Sequence, residues 1–162
     1  MGSLCGRRPA VLRCDGRHES AWTASDVFKI TKAIDFCYGH RLLNYEGKCR
    51  YLHGHNGRVE VDLAGERLDG RGMLHDFGDV KTILKTWLDS ELDHRMILAR
   101  HDPLAPLLAQ RGEPVVLMDE NPTAENLAKL IFDRALELNL PVTEVRLWET
   151  PTSVATYRGS AN

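Results

Sequence analysis

Residues 27 to 37, Val27-Phe28-Lys29-Ile30-Thr31-Lys32-Ala33-Ile34-Asp35-Phe36-Cys37, decide how the rest of the chain is read. Phe28, Ile30, Ile34 and Phe36 alternate with Lys29, Thr31 and Asp35, the two-residue period of a strand with one face buried. Continued through Tyr38 and His40, the alternation carries an imidazole onto the apolar, even-numbered face. A second segment, roughly 52 to 64, alternates through Val59, Val61 and Leu63 and puts His53 and His55 on one face of the sheet. Between the two, Arg41 to Lys48 holds Asn44 and Gly47 and reads as a loop.

Working outward, Asp76 and Asp79 mark a helix start, with a carboxylate placed to accept from free backbone N–H groups. Val80, Ile83, Leu84, Trp87, Leu88 and Leu92 then recur at helical spacing and predict a helix over 77 to 90. Leu92-Asp93-His94 falls in the loop that follows. Pro103, Pro106, Pro114 and Pro122 punctuate residues 95 to 122, which read as irregular apart from a short strand at Val115 to Met118. Thr123 caps a second helix, traced by Leu127, Leu130, Ile131, Ala135 and Leu138 and ending near Asn139-Leu140-Pro141. Strands are expected at 142 to 149 and 152 to 158. The order strand-strand-helix-helix-strand-strand implies an α+β domain with both helices on one face of an antiparallel sheet.

The 162 residues are enough for one domain, expected over 26 to 162. Residues 1 to 25 scatter Arg7, Arg8, Arg13 and Arg17 among small residues with no apolar period, and a disordered tail is expected there. A net charge of -2 without a basic block argues against nucleic-acid binding. No apolar run is long enough to span a bilayer, so no membrane association is expected. No secretory apolar core is visible, and a cytoplasmic, reducing compartment is expected. Cys5, Cys14, Cys37 and Cys49 lack the spacing of a disulfide framework or a CxxC metal site.

Four groups of residues can carry chemistry. His40, His53 and His55 can supply three nitrogen ligands to zinc, leaving a fourth position open as in catalytic sites; spacing alone leaves ordinary structural roles open beside this. Cys49 stands between Lys48 and Arg50, whose charges favour a thiolate; an inert buried thiol and a further metal ligand are the alternatives. Asp93 can orient His94 for proton transfer if the chain turns between them, and capping of the preceding helix is the plainer role for His94. In the strand 142 to 149, Thr143, Val145, Leu147 and Glu149 share a face. Glu149 therefore either reaches solvent at the strand end or meets a partner, such as a ligand ring offering two N–H donors.

Taken in order, Gly39-His40-Arg41-Leu42, Lys48-Cys49 through Leu52-His53-Gly54-His55-Asn56, Asp76-Phe77, Leu92-Asp93-His94, Pro122-Thr123-Ala124-Glu125-Asn126 and Glu149-Thr150 resemble the 6-pyruvoyltetrahydropterin and 6-carboxytetrahydropterin synthase family. The resemblance runs from about residue 27 to 158. It implies a tunnelling fold, assembled as a homohexamer of two trimers with active sites between subunits. It implies Zn2+ held by His40, His53 and His55, catalytic roles for Cys49, Asp93 and His94, and a pterin anchored by Glu149 with help from Thr123. The implied substrate is 7,8-dihydroneopterin triphosphate. The Lys-Cys and Pro-Thr-Ala-Glu forms look like the bacterial queuosine-pathway branch, whose product is 6-carboxytetrahydropterin with acetaldehyde released. Elimination of triphosphate alone, to a pyruvoyl product, is the alternative; a zinc hydrolase using Asp93 or Asp76 as base and a non-catalytic pterin-binding oligomer stand further off. Three positions depart from the family pattern: Tyr38 among residues that are usually small, Gly57 where an aromatic is common, and Ala124 where some pyruvoyl-forming members carry Thr.

Overall fold

Two long strands, β1 (Phe28–His40) and β2 (His53–Gly65), form an antiparallel pair whose register runs from Phe28 opposite Gly65 to His40 opposite His53. The computed structural model describes residues 27–159, so the tail expected over 1 to 25 lies outside the described residues. The even face of β1 is buried from Ile34 through Phe36 and Tyr38 to His40, as the alternation required. Val59, Val61 and Leu63 of β2 are buried on that same side.

The helix pattern also holds. α1 (Phe77–Glu91) starts at Asp76, whose carboxylate accepts from the Gly78 N–H at 2.7 Å. Its Val80, Leu84 and Leu88 join one hydrophobic core with Leu127, Ala128, Ile131, Phe132 and Ala135, carried by a C-terminal helix described below. Ile34, Phe36, Val59, Val61, Val145 and Leu147 supply the sheet side of that core. Burying such side chains contributes roughly 1.5–3 kcal/mol each before conformational entropy is set against it.

The stretch from 95 to 122 is more ordered than its prolines suggest. It holds β3 (Arg95–Ala99), α2 (Leu104–Gln110) and β4 (Val115–Met118). β3 runs parallel to β1, and β4 parallel to β3, so the sheet is mixed rather than wholly antiparallel. A strand buried on both faces shows a continuous apolar run, here Met96-Ile97-Leu98-Ala99, instead of alternation, which is why the period-2 test passes over it. Pro106 does not break α2 because it sits in the first turn, where its missing N–H would have no helical partner.

The chain closes with α3 (Ala124–Glu137), β5 (Val142–Thr150) and β6 (Ser153–Tyr157). The six strands lie in the order β4-β3-β1-β2-β5-β6. The pairs β1–β2, β2–β5 and β5–β6 are antiparallel. Thr143 faces out, contrary to the simple odd-even reading, because the β2–β5 register shifts between Asp62 and Leu63 and Val142 takes its place inside. From Val145 onward the odd positions face inward as expected.

On the opposite face of the sheet, Asp62 is fully buried. It accepts from Thr31 Oγ1 at 2.6 Å and from Arg146 Nη1 and Nη2 at 2.8 and 3.0 Å, and it pairs with Lys29. Burial alone would raise its pKa, but the bonds from Arg146, Lys29 and Thr31 outweigh burial and hold it below 3.8. A carboxyl with a depressed folded-state pKa stabilises above its unfolded value and loses that contribution as pH falls through the folded one. Arg146→Met is expected to cost roughly 2–3 kcal/mol at pH 7, because it leaves a buried charge under-compensated. Urea denaturation checks this, and the difference between the two proteins should shrink as the pH is taken below 3.8.

Candidate active site

The β1–β2 register brings His40, His53 and His55 to one end of the inward face. Each offers one ligand nitrogen, and these lie within 4.8 Å of one another. His40, almost fully buried, places Nδ1 2.7 Å from the Pro122 carbonyl oxygen, and His53 places Nδ1 2.8 Å from that of Tyr51. A carbonyl only accepts, so both rings carry their proton on Nδ1 and keep the Nε2 lone pair free. His55 Nε2 stands 3.1 Å from His40 Nε2. Burial holds the His40 pKa below its usual value; the Pro122 carbonyl opposes that and the other two imidazoles reinforce it. Three imidazole nitrogens this close together can each turn a lone pair to one cation, so these residues fit a bound metal.

Beside the histidines lies Glu149, on the inward face of β5 as its parity required. Its Oε1 is 3.7 Å from His40 Nε2 and 3.9 Å from His55 Nε2. The same oxygen accepts from the Tyr38 hydroxyl at 3.1 Å. Burial, and then the Glu149 charge, push the Tyr38 phenol far above its usual pKa, so it is a donor throughout the ordinary pH range. The inward carboxylate thus has a partner within the chain, the hydroxyl of Tyr38.

Asp93 and His94 bond directly, Oδ2 accepting from Nδ1 at 2.7 Å. The turn this requires is made at His94, whose φ is +55°. Cys37 holds the pair in place: its N–H donates to Asp93 Oδ1 at 2.7 Å and its carbonyl accepts from the His94 N–H at 2.7 Å. Burial acts to raise the Asp93 pKa, but the Cys37 N–H and His94 overcome it and keep the group below 3.8. His94 is well exposed and lines a cleft of about 520 Å³ with Cys37, His53, Asn56 and Met96.

Cys49 lies half-buried in a single 3-10 turn, Lys48–Arg50, and its carbonyl accepts from the Leu42 N–H. It is not part of the histidine cluster. Thr123 is the N-cap of α3, its hydroxyl accepting from the Asn126 N–H at 3.3 Å. Among the described residues, no hydrogen bond joins Cys49 or Thr123 to the histidines or to Asp93-His94. The bracing that sequence reasoning missed comes from around Thr123. Asn126 Nδ2 donates to the Asn121 carbonyl, and the Asn121 side chain in turn bonds the Leu43 N–H and carbonyl at 2.8 and 2.9 Å. Pro122 orients His40, so residues 121 to 126 tie the start of α3 to both the histidine centre and the loop leading to Cys49. Carbonyl partners of this kind carry no side-chain signal, although the Pro-Thr-Ala-Glu-Asn run marked the place.

The described residues form a mixed six-stranded α+β sheet fold with three helices and a candidate metal centre at one end of the sheet. Residues 29–160 match the model of the 6-pyruvoyl tetrahydropterin synthase family, and the chain belongs to that family. A 6-carboxy-5,6,7,8-tetrahydropterin synthase of Rickettsia typhi is 37% identical over 131 residues, covering 76% of this chain and 95% of that one. Among solved structures, an uncharacterized protein of Wolinella succinogenes is 30% identical with a TM-score of 0.69, covering 84% of this chain and all of that one. The 6-pyruvoyl tetrahydropterin synthase of Caenorhabditis elegans is 25% identical with a TM-score of 0.63, covering 83% and 97%. No helix among the described residues is long and apolar enough to cross a membrane.

Removing any one of His40, His53 or His55 as Ala should weaken metal binding about a hundredfold or more, while Cys49→Ala should leave it unchanged. Equilibrium dialysis with elemental analysis measures both. Metal retained by the histidine variants, or lost from the cysteine variant, would mean that the ligand set is different.

Proposed function

We propose that the chain is a zinc-dependent lyase acting on 7,8-dihydroneopterin triphosphate and forming 6-carboxy-5,6,7,8-tetrahydropterin, with acetaldehyde and triphosphate released. The observation that carries this reading is the convergence of three imidazole nitrogens beside an inward carboxylate, in a chain of this family. Three imidazole donors suit zinc, and His40, His53 and His55 would hold it. Bound there, zinc supplies Lewis-acid polarisation of the hydroxylated side chain of the pterin.

The chain's own residues do the rest. Glu149 accepts from two N–H groups of the pterin ring, a bidentate match that orients the side chain towards the histidines. Thr123 is assigned a supporting contact to the ring. Cys49 is assigned the removal of a proton from the side chain. Asp93 fixes the His94 proton on Nδ1, which leaves Nε2 as the atom that takes and returns a proton. Cys49 and Asp93-His94 are not joined within one chain, and a homohexamer of two trimers would complete each site across subunits. The small-molecule pterin is the only partner this chemistry requires besides other copies of the chain. A cytoplasmic enzyme of the queuosine pathway fits this reaction.

A second reading, elimination of triphosphate to a 6-pyruvoyl product, draws on the likeness to the Caenorhabditis elegans structure. The 6-carboxy reading is preferred because relatives of higher identity bear that name. Mass spectrometry after incubation with dihydroneopterin triphosphate separates the two. The preferred reading predicts a one-carbon acid side chain and acetaldehyde; a three-carbon side chain would favour the second. Cys49→Ala is expected to abolish turnover. Glu149→Ala is expected to weaken pterin binding roughly a hundredfold with unchanged metal content, through loss of two charge-assisted bonds. Unchanged binding in that variant would remove the anchor role.

A further inference from the structure

Glu149 presents a difficulty for a centre that must keep a coordination position free. Its Oε1 lies 3.7 and 3.9 Å from the Nε2 atoms of His40 and His55. Donors about 2.0–2.2 Å from a tetrahedral zinc stand about 3.3–3.5 Å from one another. That oxygen is near ligand spacing from two of the three histidines, yet it stands outside the group of ligand atoms that lie within 4.8 Å of one another. Were it to close on the metal, the site would become a saturated, structural one, and the residue would be lost as an anchor for the ring.

The oxygen nearest the histidines is the one that Tyr38 holds. Tyr38 Oη donates to Glu149 Oε1 at 3.1 Å, across 111 residues of sequence. The Tyr38 ring is itself fixed. It is 3% exposed, stacks on Phe36 at 5.3 Å, and meets His40 edge-on at 5.3 Å. Gly57 leaves room for it, since a Cβ at that position would stand 2.9 Å from Tyr38 Cε1. Tyr38 and Gly57 are thus one feature: β2 gives up a side chain so that a ring from β1 can bring a hydroxyl to the carboxylate.

We propose that Tyr38 is a positioning residue that holds the Glu149 carboxylate off the histidine centre, keeping the fourth metal position open and Glu149 available to the substrate. The inference rests on the metal centre of the proposed function, but not on the identity of the substrate. Tyr38→Phe keeps the ring and removes only the donor, so packing against Phe36, His40 and Gly57 is retained.

The test uses protein loaded with Co2+, whose visible spectrum reports coordination, titrated with azide as a small exogenous ligand. Wild-type protein should show an azide-dependent spectral change. Y38F should lose most of that response and bind Co2+ about tenfold more tightly, the scale of effect that neighbours of metal ligands exert. Adding Glu149→Ala to Y38F should restore both the azide response and the weaker metal binding. A Y38F protein that answers azide and binds Co2+ like wild type would overturn the inference. So would loss of the response that persists in the double variant, since the carboxylate would then not be responsible. Wild-type protein that takes up no Co2+ would overturn the metal centre and this inference together. Cobalt-loaded protein that behaves as expected but transforms no pterin would contradict the proposed reaction alone.

Discussion

The pairing of His40 with His53 and of Tyr38 with His55 across β1 and β2 is the constraint on which the rest of the site depends. Side chains alternate along a strand, so a slip of one residue in this register would send His53 and His55 to the opposite face. The register is held by burial. Ile34 and Phe36 on β1, with Val59, Val61 and Leu63 on β2, lie under α1 and α3 and cannot change sides without exposing the core. The polar face is equally committed through Asp62, whose buried charge is met from β1 and β5 by Lys29, Thr31 and Arg146. Two faces with opposite demands fix the position of three imidazoles at the far end.

That end is then stiffened by backbone groups rather than by further side-chain packing. The carbonyls of Pro122 and Tyr51 each set an imidazole tautomer. Cys37 offers its N–H and carbonyl to Asp93 and His94. The start of α3 reaches back through Asn121 to Leu43. Proton transfer and metal binding both need ring orientations known to a fraction of an ångström, and fixed backbone donors and acceptors supply that without side-chain entropy.

Much of this was legible in the sequence, for physical reasons that also explain what was not. Strands with one wet face advertise themselves by alternation, so β1, β2, β5 and β6 and the inward placement of His40 and Glu149 could be read directly. The helices showed through Asp76, Thr123 and their apolar spacing. β3 and α2 did not, because a strand buried on both faces loses its period and a first-turn proline resembles a breaker. The partner of Glu149 was hidden for a different reason. The Tyr38 bond spans 111 residues and depends on Gly57 being empty, which no local pattern records. The closing of Asp93 on His94 turned on a positive φ at a non-glycine residue, again invisible in the chain itself.

Three imidazole nitrogens, and no thiolate, are expected to hold the metal beside Glu149. X-ray absorption at the zinc edge on zinc-loaded protein tests it most directly. The expected result is nitrogen or oxygen scatterers alone at about 2.0–2.1 Å, with the multiple-scattering signature of three imidazoles and one exchangeable light ligand. A sulfur scatterer near 2.3 Å, the distance of a zinc–thiolate bond, would place Cys49 on the metal and contradict its assignment as the proton-abstracting residue.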